Sequence, residues 1–304
     1  ELQQHKTDSE LCCELGDICD EAGLEYLFRT YHPDVVFHAA AYKHVPLLEN
    51  KLREAVRNNI IGSWNVARLA DKYDCSDFVM VSTDKAVNPG NIMGATKRVA
   101  EIICQTFDAH SSTRFITTRF GNVLGSAGSV VPLFKEQIQR GGPVTVTDPD
   151  ITRYFLTISE ACRLILQTTV MGNGGEIFVL DMGEPVKVLY LAEQMIRLSG
   201  KTPGEDIMIE FSGLRPGEKL HEELFHRDED LADTSHEKVM LANSRKTDWQ
   251  TLVEAMQQFQ LAVDNFDIEL LQQLIHKLVT EMTQQKSCAK AAIENAGEPN
   301  EDGE

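Results

Sequence analysis

The sequence predicts an α/β fold built on a doubly wound parallel sheet. Short apolar runs, which are typical of buried parallel strands, alternate with longer stretches of helical periodicity. This alternation is the pattern of a parallel sheet with helices on both faces. With 304 residues, the chain is long enough to bury a sizeable core in one large or two modest domains.

Residues 1–130 carry the first series of alternating elements. The apolar run from Phe78 to Val81 leads into polar residues and predicts a buried strand. Similar runs predict two further strands, and helical spacing predicts the helices between them. A loop with three glycines and two serines ends this part at residues 120–129. In order, the predicted elements are strand 34–41, helix 46–73, strand 78–83, helix 93–109 and strand 114–119.

Residues 131–284 continue the alternation with shorter elements. Helix 132–140 is followed by Gly141-Gly142-Pro143, a typical helix stop. We expect a polar linker after residue 226 and a disordered acidic tail over 285–304, where large apolar residues are scarce. The other predicted elements are strand 144–147, helix 158–170, strand 176–181, helix 188–198, strand 207–211 and helices 248–261 and 265–284.

One element that such a sheet usually contains is missing from the sequence. No Gly-x-Gly-x-x-Gly or Gly-x-x-Gly-x-x-Gly motif follows a strand, so the usual cradle for a dinucleotide pyrophosphate is absent. Either the fold does not bind a dinucleotide, or the chain is a fragment cut after the first βαβ unit. The start at Glu1, within a helical pattern, favours the fragment.

Composition and charge limit the classes of function. The formal net charge of −18 argues against non-specific binding of nucleic acid. The seven cysteines show no Cys-x-x-Cys spacing, so we predict reduced thiols in a cytoplasmic setting and no metal site. No apolar run approaches ~18 residues, and no signal peptide is visible. We therefore expect no transmembrane helix within the chain.

The most informative motif lies at the end of strand 78–83. Thr83, Asp84 and Lys85 follow the apolar run, at the edge where open α/β sheets bind ligands. A neighbouring acid and amine there can transfer protons, although a surface ion pair is the alternative. Lys97 stands four residues after Met93, as in a Tyr-x-x-x-Lys dehydrogenase signature with Met in the Tyr position. An exposed helix lysine is the alternative for Lys97.

Six segments in the same order resemble a known family. They are 37–46, 82–97, 119–126, 141–147, 151–155 and 212–219. Together they resemble the extended short-chain dehydrogenases that act on nucleotide sugars, and more closely the UDP-N-acetylglucosamine 4,6-dehydratases of capsule and O-antigen polysaccharide biosynthesis. The resemblance covers roughly residues 10–283 and implies a Rossmann-like fold with a smaller C-terminal substrate-binding part and the first βαβ unit missing.

The resemblance also implies a cofactor, partners and a location. The cofactor is NAD or NADP, and the substrate is a UDP-sugar. A homo-oligomer is implied, with pairing through helices 46–73 and 93–109. The location is the cytoplasm or the cytoplasmic face of the inner membrane, with attachment only through an absent N-terminal region. Because the glycine-rich loop is missing, we expect the chain by itself to bind NAD(P)+ weakly or not at all.

In this family the reaction oxidises sugar C4, eliminates water across C5 and C6 and returns the hydride to C6. By resemblance, Asp84 is the acid and Lys85 the base of the elimination, and Thr83 hydrogen-bonds the sugar. By the same resemblance, Lys97 would bind the nicotinamide ribose. Met93 has no ionisable group, so the base for the C4 hydroxyl is open between Lys97, Lys85 and water, and Met93 packs over the sugar or nicotinamide.

Further residues are assigned by the same resemblance. Asp17 and Ile18 would meet the adenine, with an ordinary turn as the alternative. Ala39, Ala40 and Ala41 would let the backbone approach the cofactor, with tight helix packing as the alternative. For the charged members of the substrate set, a solvated surface charge is the alternative. The predicted substrate-binding residues are Lys43, Asn122, Lys135, Val144, Arg153, Arg215 and Glu218.

Two other functions remain open at this point. The first is an NAD-dependent nucleotide-sugar epimerase with the same fold. The Thr83-Asp84-Lys85 motif favours the dehydratase, because a simple C4 epimerase needs no acid–base pair for elimination. The second is an inactive truncated fragment that lacks the cofactor loop.

Overall fold

The computed structural model describes residues 10–225, 231–242 and 247–280. A mixed six-stranded sheet in the order β1-β2-β3-β8-β12-β11 forms its centre, and the predicted acidic tail lies outside the described residues. The strands are β1 Val35–His38, β2 Asp77–Thr83, β3 Arg114–Phe120, β4 Asn122–Val123, β5 Val144–Val146, β6 Thr152–Arg153, β7 Phe155–Leu156, β8 Ile177–Leu180, β9 Val186–Lys187, β10 Ile209–Phe211, β11 Leu231–Asp233 and β12 Val239–Ala242.

Helices cover both faces of this sheet. Phe115 and Ile116 are neighbours in β3, yet they pack into different cores on opposite faces, as alternating strand residues do. The doubly wound α/β fold is therefore confirmed. The helices are α1 Glu21–Tyr31, α2 Val45–Leu48, α3 Leu52–Ala55, a π-helix Val56–Gly62, α4 Ser63–Lys72, α5 Ile92–Asp108, α6 Val130–Gln139, α7 Ile158–Met171, α8 Val188–Leu198, α9 Trp249–Asp264 and α10 Ile268–Leu278.

Two predictions about local structure are wrong. The segment after residue 226 is not only a linker: β11 and β12 lie within it and extend the sheet antiparallel to β8. The run Val239–Ala242 was missed because it lies in a mostly polar segment with no helical pattern just before it, unlike the strands that alternate with helices. The predicted single helix 46–73 is broken after Leu48 and contains a π-helical turn at Val56–Gly62.

Helix α5 is the most enclosed of the helices in the described part of the chain. Every residue from Met93 to Phe107 is buried, because α5 lies on β2 and β3 and contacts α4, α9 and α10. Phe259 of α9 and Leu274 of α10 belong to the same core as Phe107. In the described part of the chain, α5 therefore offers no free face to a second copy, contrary to the expectation that helix 93–109 pairs in a dimer.

A smaller core lies beside the sheet. Phe134 of α6, Val144 of β5 and Ile196 of α8 pack together there, away from the two cores of the sheet. Across the described residues, no helix has the length and apolar character needed to cross a membrane.

A buried ion cluster fixes α5 on the sheet. The Glu101 carboxylate accepts hydrogen bonds from Arg119 Nη2 at 2.9 Å and Nε at 3.1 Å, from Arg98 Nη1 at 2.9 Å and from Ser82 Oγ at 2.6 Å. Burial alone would raise the pKa of Glu101, but the Arg119 and Arg98 guanidinium groups outweigh it and hold the pKa at about 2. The cluster joins α5 to β2 and β3.

We predict that Glu101→Gln destabilises the fold by about 3–5 kcal/mol, because it leaves buried guanidinium charge uncompensated. The pKa of Glu101 is lowered on folding, so its stabilisation is complete above the ordinary value of 4.5 and is lost as the pH falls towards about 2. Urea unfolding at neutral and acidic pH measures both effects. Glu136→Gln, at an exposed ion pair with Arg140, is the control and should change stability by less than about 0.5 kcal/mol. Equal effects of the two substitutions would contradict the prediction.

Candidate active site

A cavity of about 370 Å³ lies at the carboxyl ends of β1, β2 and β3. Its wall is formed by the loop after β1, by the end of β2 with the start of α5, and by residues 120–130. Ligands bind at this edge of open α/β sheets. Eight of the predicted site residues line it: Ala39, Ala41, Lys43, Thr83, Lys85, Met93, Lys97 and Asn122.

The turn Thr83-Asp84-Lys85 follows directly from β2. Asp84 opens a 3-10 turn, and Thr83 caps it by accepting a hydrogen bond from the Lys85 backbone N–H. The Thr83 hydroxyl donates to Asp84 Oδ1 at 2.9 Å. Asp84 is fully buried and lies behind the cavity wall. Its carboxylate contacts two residues that line the cavity, Thr83 and Lys85.

Lys85 is held by two hydrogen bonds and one ion pair, with partners from three segments. Its Nζ lies 2.9 Å from Asp84 Oδ1, 3.4 Å from Asn122 Oδ1 and 3.4 Å from Glu222 Oε1. Burial lowers the pKa of Lys85, but the carboxylates of Asp84 and Glu222 outweigh burial, so this pKa lies above its ordinary value. The ammonium form of Lys85 is therefore the resting form at neutral pH.

Helix α5 begins directly against this turn. Asn91 caps the helix by accepting a hydrogen bond from the Gly94 N–H at 2.7 Å. A Cβ atom on residue 94 would lie 2.0 Å from the carbonyl oxygen of Lys85, so only glycine permits the approach. This packing brings Met93 and Lys97, which are 4% and 5% exposed, to the cavity wall.

Lys97 is a buried amine within reach of the cavity. Burial lowers its pKa to about 8, because the charged form loses its hydration. Behind it, burial and the Lys97 charge lower the pKa of His38 to about 3. Lys97 can therefore gain or lose a proton near neutral pH, whereas His38 stays neutral.

The loop after β1 is clamped by the π-helix. Asn59, which is fully buried, accepts a hydrogen bond from the Tyr42 N–H at 2.8 Å and donates one to the Tyr42 carbonyl oxygen at 3.0 Å. The same amide donates to Thr96 Oγ1 on α5 at 3.0 Å. Asn59 thereby fixes Lys43 and its neighbours relative to Lys97.

Nine of the predicted site residues do not line the cavity. Asp17 is exposed, accepts a hydrogen bond from the Cys19 N–H and pairs with Arg57 at 3.4 Å, and that backbone hydrogen bond lowers its pKa. Ile18 packs against the core that contains Phe115. Lys135 and Arg215 are exposed, and Val144 is buried in the smaller core. The residues outside the lining are Asp17, Ile18, Ala40, Asp84, Lys135, Val144, Arg153, Arg215 and Glu218.

Arg153 and Glu218 meet each other next to the site. Arg153 is 6% exposed, and its Nη2 lies 3.3 Å from Glu218 Oε1. Glu218 Oε2 also accepts a hydrogen bond from the Arg215 backbone N–H at 3.1 Å. A phosphate that binds Arg153 must therefore compete with a carboxylate already in contact with the guanidinium.

The sequence did not identify Glu222, whose side chain is 2% exposed and contacts Lys85. Two adjacent glutamates, Glu222 and Glu223, follow Lys219, but nothing in their pattern distinguishes the buried one from the exposed one. Among the residues that the structure describes, no group of three or more His, Cys, Asp or Glu is placed to hold a metal ion.

Known proteins are similar to this chain in sequence and in fold. The chain is 52% identical over 246 residues to the probable polysaccharide biosynthesis protein EpsC of Bacillus subtilis (strain 168), covering 81% of this chain but only 41% of EpsC. It is 34% identical over 219 residues to the UDP-N-acetylglucosamine 4,6-dehydratase (inverting) of Campylobacter jejuni subsp. jejuni serotype O:23/36 (strain 81-176), covering 71% of this chain and 62% of that enzyme.

A solved structure supports the same relationship. Pen from Bacillus thuringiensis matches with a TM-score of 0.71 at 36% identity, covering 76% of this chain and 72% of that chain. The predicted Rossmann-like fold of the extended short-chain dehydrogenases is thus confirmed. Residues 1–244 match the family of polysaccharide biosynthesis proteins. The chain therefore belongs to the polysaccharide biosynthesis protein family.

Proposed function

We propose that this chain carries the catalytic centre of a UDP-N-acetylglucosamine 4,6-dehydratase that forms a UDP-4-keto-6-deoxy sugar for surface polysaccharide. One observation carries the proposal: a buried aspartate and a lysine share a hydrogen bond of 2.9 Å at the wall of the cavity. Elimination of water needs a group that removes a proton and a group that supplies one. The inverting dehydratase relative supports the same reaction class.

The cavity has features that fit NAD or NADP. Ala39 and Ala41 present only methyl groups to it, which leaves room for a flat ring, and Lys97 brings an amine to the wall. When bound, the nucleotide supplies a hydride acceptor and donor. We assign Lys97 to the nicotinamide ribose and Met93 to packing over the sugar or the nicotinamide. The substrate diphosphate and uridine are assigned to Lys43, Asn122, Lys135, Val144, Arg153, Arg215 and Glu218.

The Asp84–Lys85 pair can perform the elimination with the single proton that it shares. Transfer of that proton along the hydrogen bond converts the ion pair into neutral Asp84 and neutral Lys85. Exclusion of water by the substrate favours this neutral pair, because burial disfavours separated charges. Lys85 then takes the C5 proton. Asp84, which does not line the cavity, gives its proton to the Thr83 hydroxyl, and that hydroxyl passes its own proton to the departing C6 hydroxyl. The step regenerates the original ion pair.

The function is tested directly by the product formed from UDP-N-acetylglucosamine. We expect the full protein, supplied with NAD or NADP in D2O, to yield a sugar with a C6 methyl group and a solvent-derived deuteron at C5, observed by NMR. A deuteron at C5 is expected because the C5 proton is given to an exchanging amine. Formation of only the C4 epimer would overturn the dehydratase assignment in favour of an epimerase.

We predict that Asp84→Asn and Lys85→Met each lower kcat by about 100- to 10,000-fold, the usual contribution of a general acid or base. UDP binding, measured by calorimetry, should change little. A matched control is available in Asp150 and Lys187, an exposed pair with the same 2.9 Å separation. Asp150→Asn and Lys187→Met should leave kcat unchanged. Near-normal turnover by Asp84→Asn or Lys85→Met would remove that residue from the mechanism.

A further prediction concerns the base for the C4 hydroxyl. The lowered pKa of Lys97 means that its neutral form grows as the pH rises through about 8. If Lys97 takes the C4 hydroxyl proton, the rate of sugar oxidation, followed by nucleotide absorbance, rises through this pH. Lys97→Arg keeps a charge that cannot be lost in this range, so it should abolish the rise. A flat profile in the unsubstituted protein would leave Lys85 or water as the base.

A further inference from the structure

Glu222 is a buried carboxylate outside the predicted site. Its Oε1 lies 3.4 Å from Lys85 Nζ and 4.0 Å from Arg153 Nε. Its Oε2 is buried and has no hydrogen-bond partner among the described residues. A carboxylate in such a place is costly unless nearby cations stabilise its charge. Lys85 and Arg153 are the cations in contact with it.

These contacts place Glu222 in a series of ion pairs in which negative and positive side chains alternate. Glu218 contacts Arg153, Arg153 contacts Glu222, Glu222 contacts Lys85, and Lys85 contacts Asp84. This series of ion pairs begins at Glu218, one of the residues assigned to the substrate, and ends at the Asp84–Lys85 pair proposed for the elimination. Each contact crosses between different elements, apart from the one between Lys85 and its neighbour Asp84.

The position of Lys85 depends on the charge of Glu222 as well as on hydrogen bonds. The ammonium donates hydrogen bonds to Asp84 and Asn122, and it forms an ion pair with Glu222 on a third segment. Without Glu222, this ion pair is lost, and only the contacts with the Asp84 turn and with β4 remain.

We propose that Glu222 is a positioning residue for the dehydration, which holds the Lys85 ammonium against Asp84 and keeps it protonated until substrate is bound. This inference rests on the proposed function of the Asp84–Lys85 pair. Asp84 faces Lys85 from its own turn, Asn122 from β4, Arg153 from β6 and Glu222 from the segment after β10. Lys43 and Lys97 line the same cavity. Of these groups, Asp84 and Glu222 favour the charged form of Lys85, and Arg153 opposes it.

The test compares Glu222→Gln with Glu223→Gln in the full protein. Glu223 is the adjacent residue, is exposed and accepts a hydrogen bond from Asn88 rather than from Lys85. The Lys85 pKa is read from the 15N signal of its Nζ in lysine-labelled protein, assigned with Lys85→Arg. Glu222→Gln should lower this pKa by about one unit or more, because it removes a charge in contact with the ammonium. Glu223→Gln should leave it unchanged.

Kinetics provide a second readout. Above the pKa of Lys85 the pair loses its shared proton, so kcat falls at alkaline pH. Glu222→Gln should move this fall to lower pH by the same amount as the NMR shift and should lower kcat more than it changes KM. If Glu222→Gln does not fold, Glu222→Asp keeps the charge but withdraws it by one methylene, and the same shifts should appear with smaller size.

The outcomes separate two kinds of failure. An unchanged Lys85 titration in folded Glu222→Gln, or in Glu222→Asp if only that variant folds, overturns the inference. A shifted titration in a protein that forms only the C4 epimer keeps the electrostatic role of Glu222 but overturns the proposed dehydration, and with it the role in elimination. The NMR titration needs no substrate, so the two results are independent.

Discussion

The buried contacts of Glu101 are the constraint on which the site depends. Arg119 on β3, Ser82 on β2 and Arg98 on α5 all bind this one carboxylate. The helix therefore has a fixed position along the strands. Lys97 lies one helical turn before Glu101, so its place at the cavity follows from the same contacts. Proton transfer requires donor and acceptor to be held at hydrogen-bond distance, and a cluster in the core can provide that precision.

Two charge systems lie close together in this protein and differ in a way that fits a structural role for one and the proposed catalytic role for the other. The Glu101 cluster lies wholly in the interior, and both of its carboxylate oxygens accept hydrogen bonds. In the Asp84–Lys85–Glu222 system, Asp84 Oδ2 and Glu222 Oε2 have no hydrogen-bond partner among the described residues, and Lys85 reaches the cavity wall. A buried carboxylate with both oxygens hydrogen-bonded helps to rigidify a core, whereas one with an oxygen left over retains capacity to bind a proton or a ligand.

Much of the fold and part of the site could be predicted from the sequence. The strand before Thr83 was predictable because its apolar run lies between two long helical patterns, which complete the alternation typical of a parallel sheet. The strand Val239–Ala242 is an apolar run of the same length, but it lies in a mostly polar segment with no helical pattern just before it, so the alternation gave no signal there. The partner of Lys85 at Glu222 lies more than a hundred residues away in sequence, and only the packing of two distant segments brings the two together.

Helices α9 and α10 complete the core around α5, although they are the last described elements of the chain. Leu252, Phe259 and Leu274 cover apolar side chains that were synthesised much earlier. During translation, the apolar surface of α5 that these residues cover therefore stays exposed until α9 and α10 have left the ribosome. Over that interval the emerging chain is open to chaperones and to aggregation. Slow synthesis of α9 and α10 would prolong the interval.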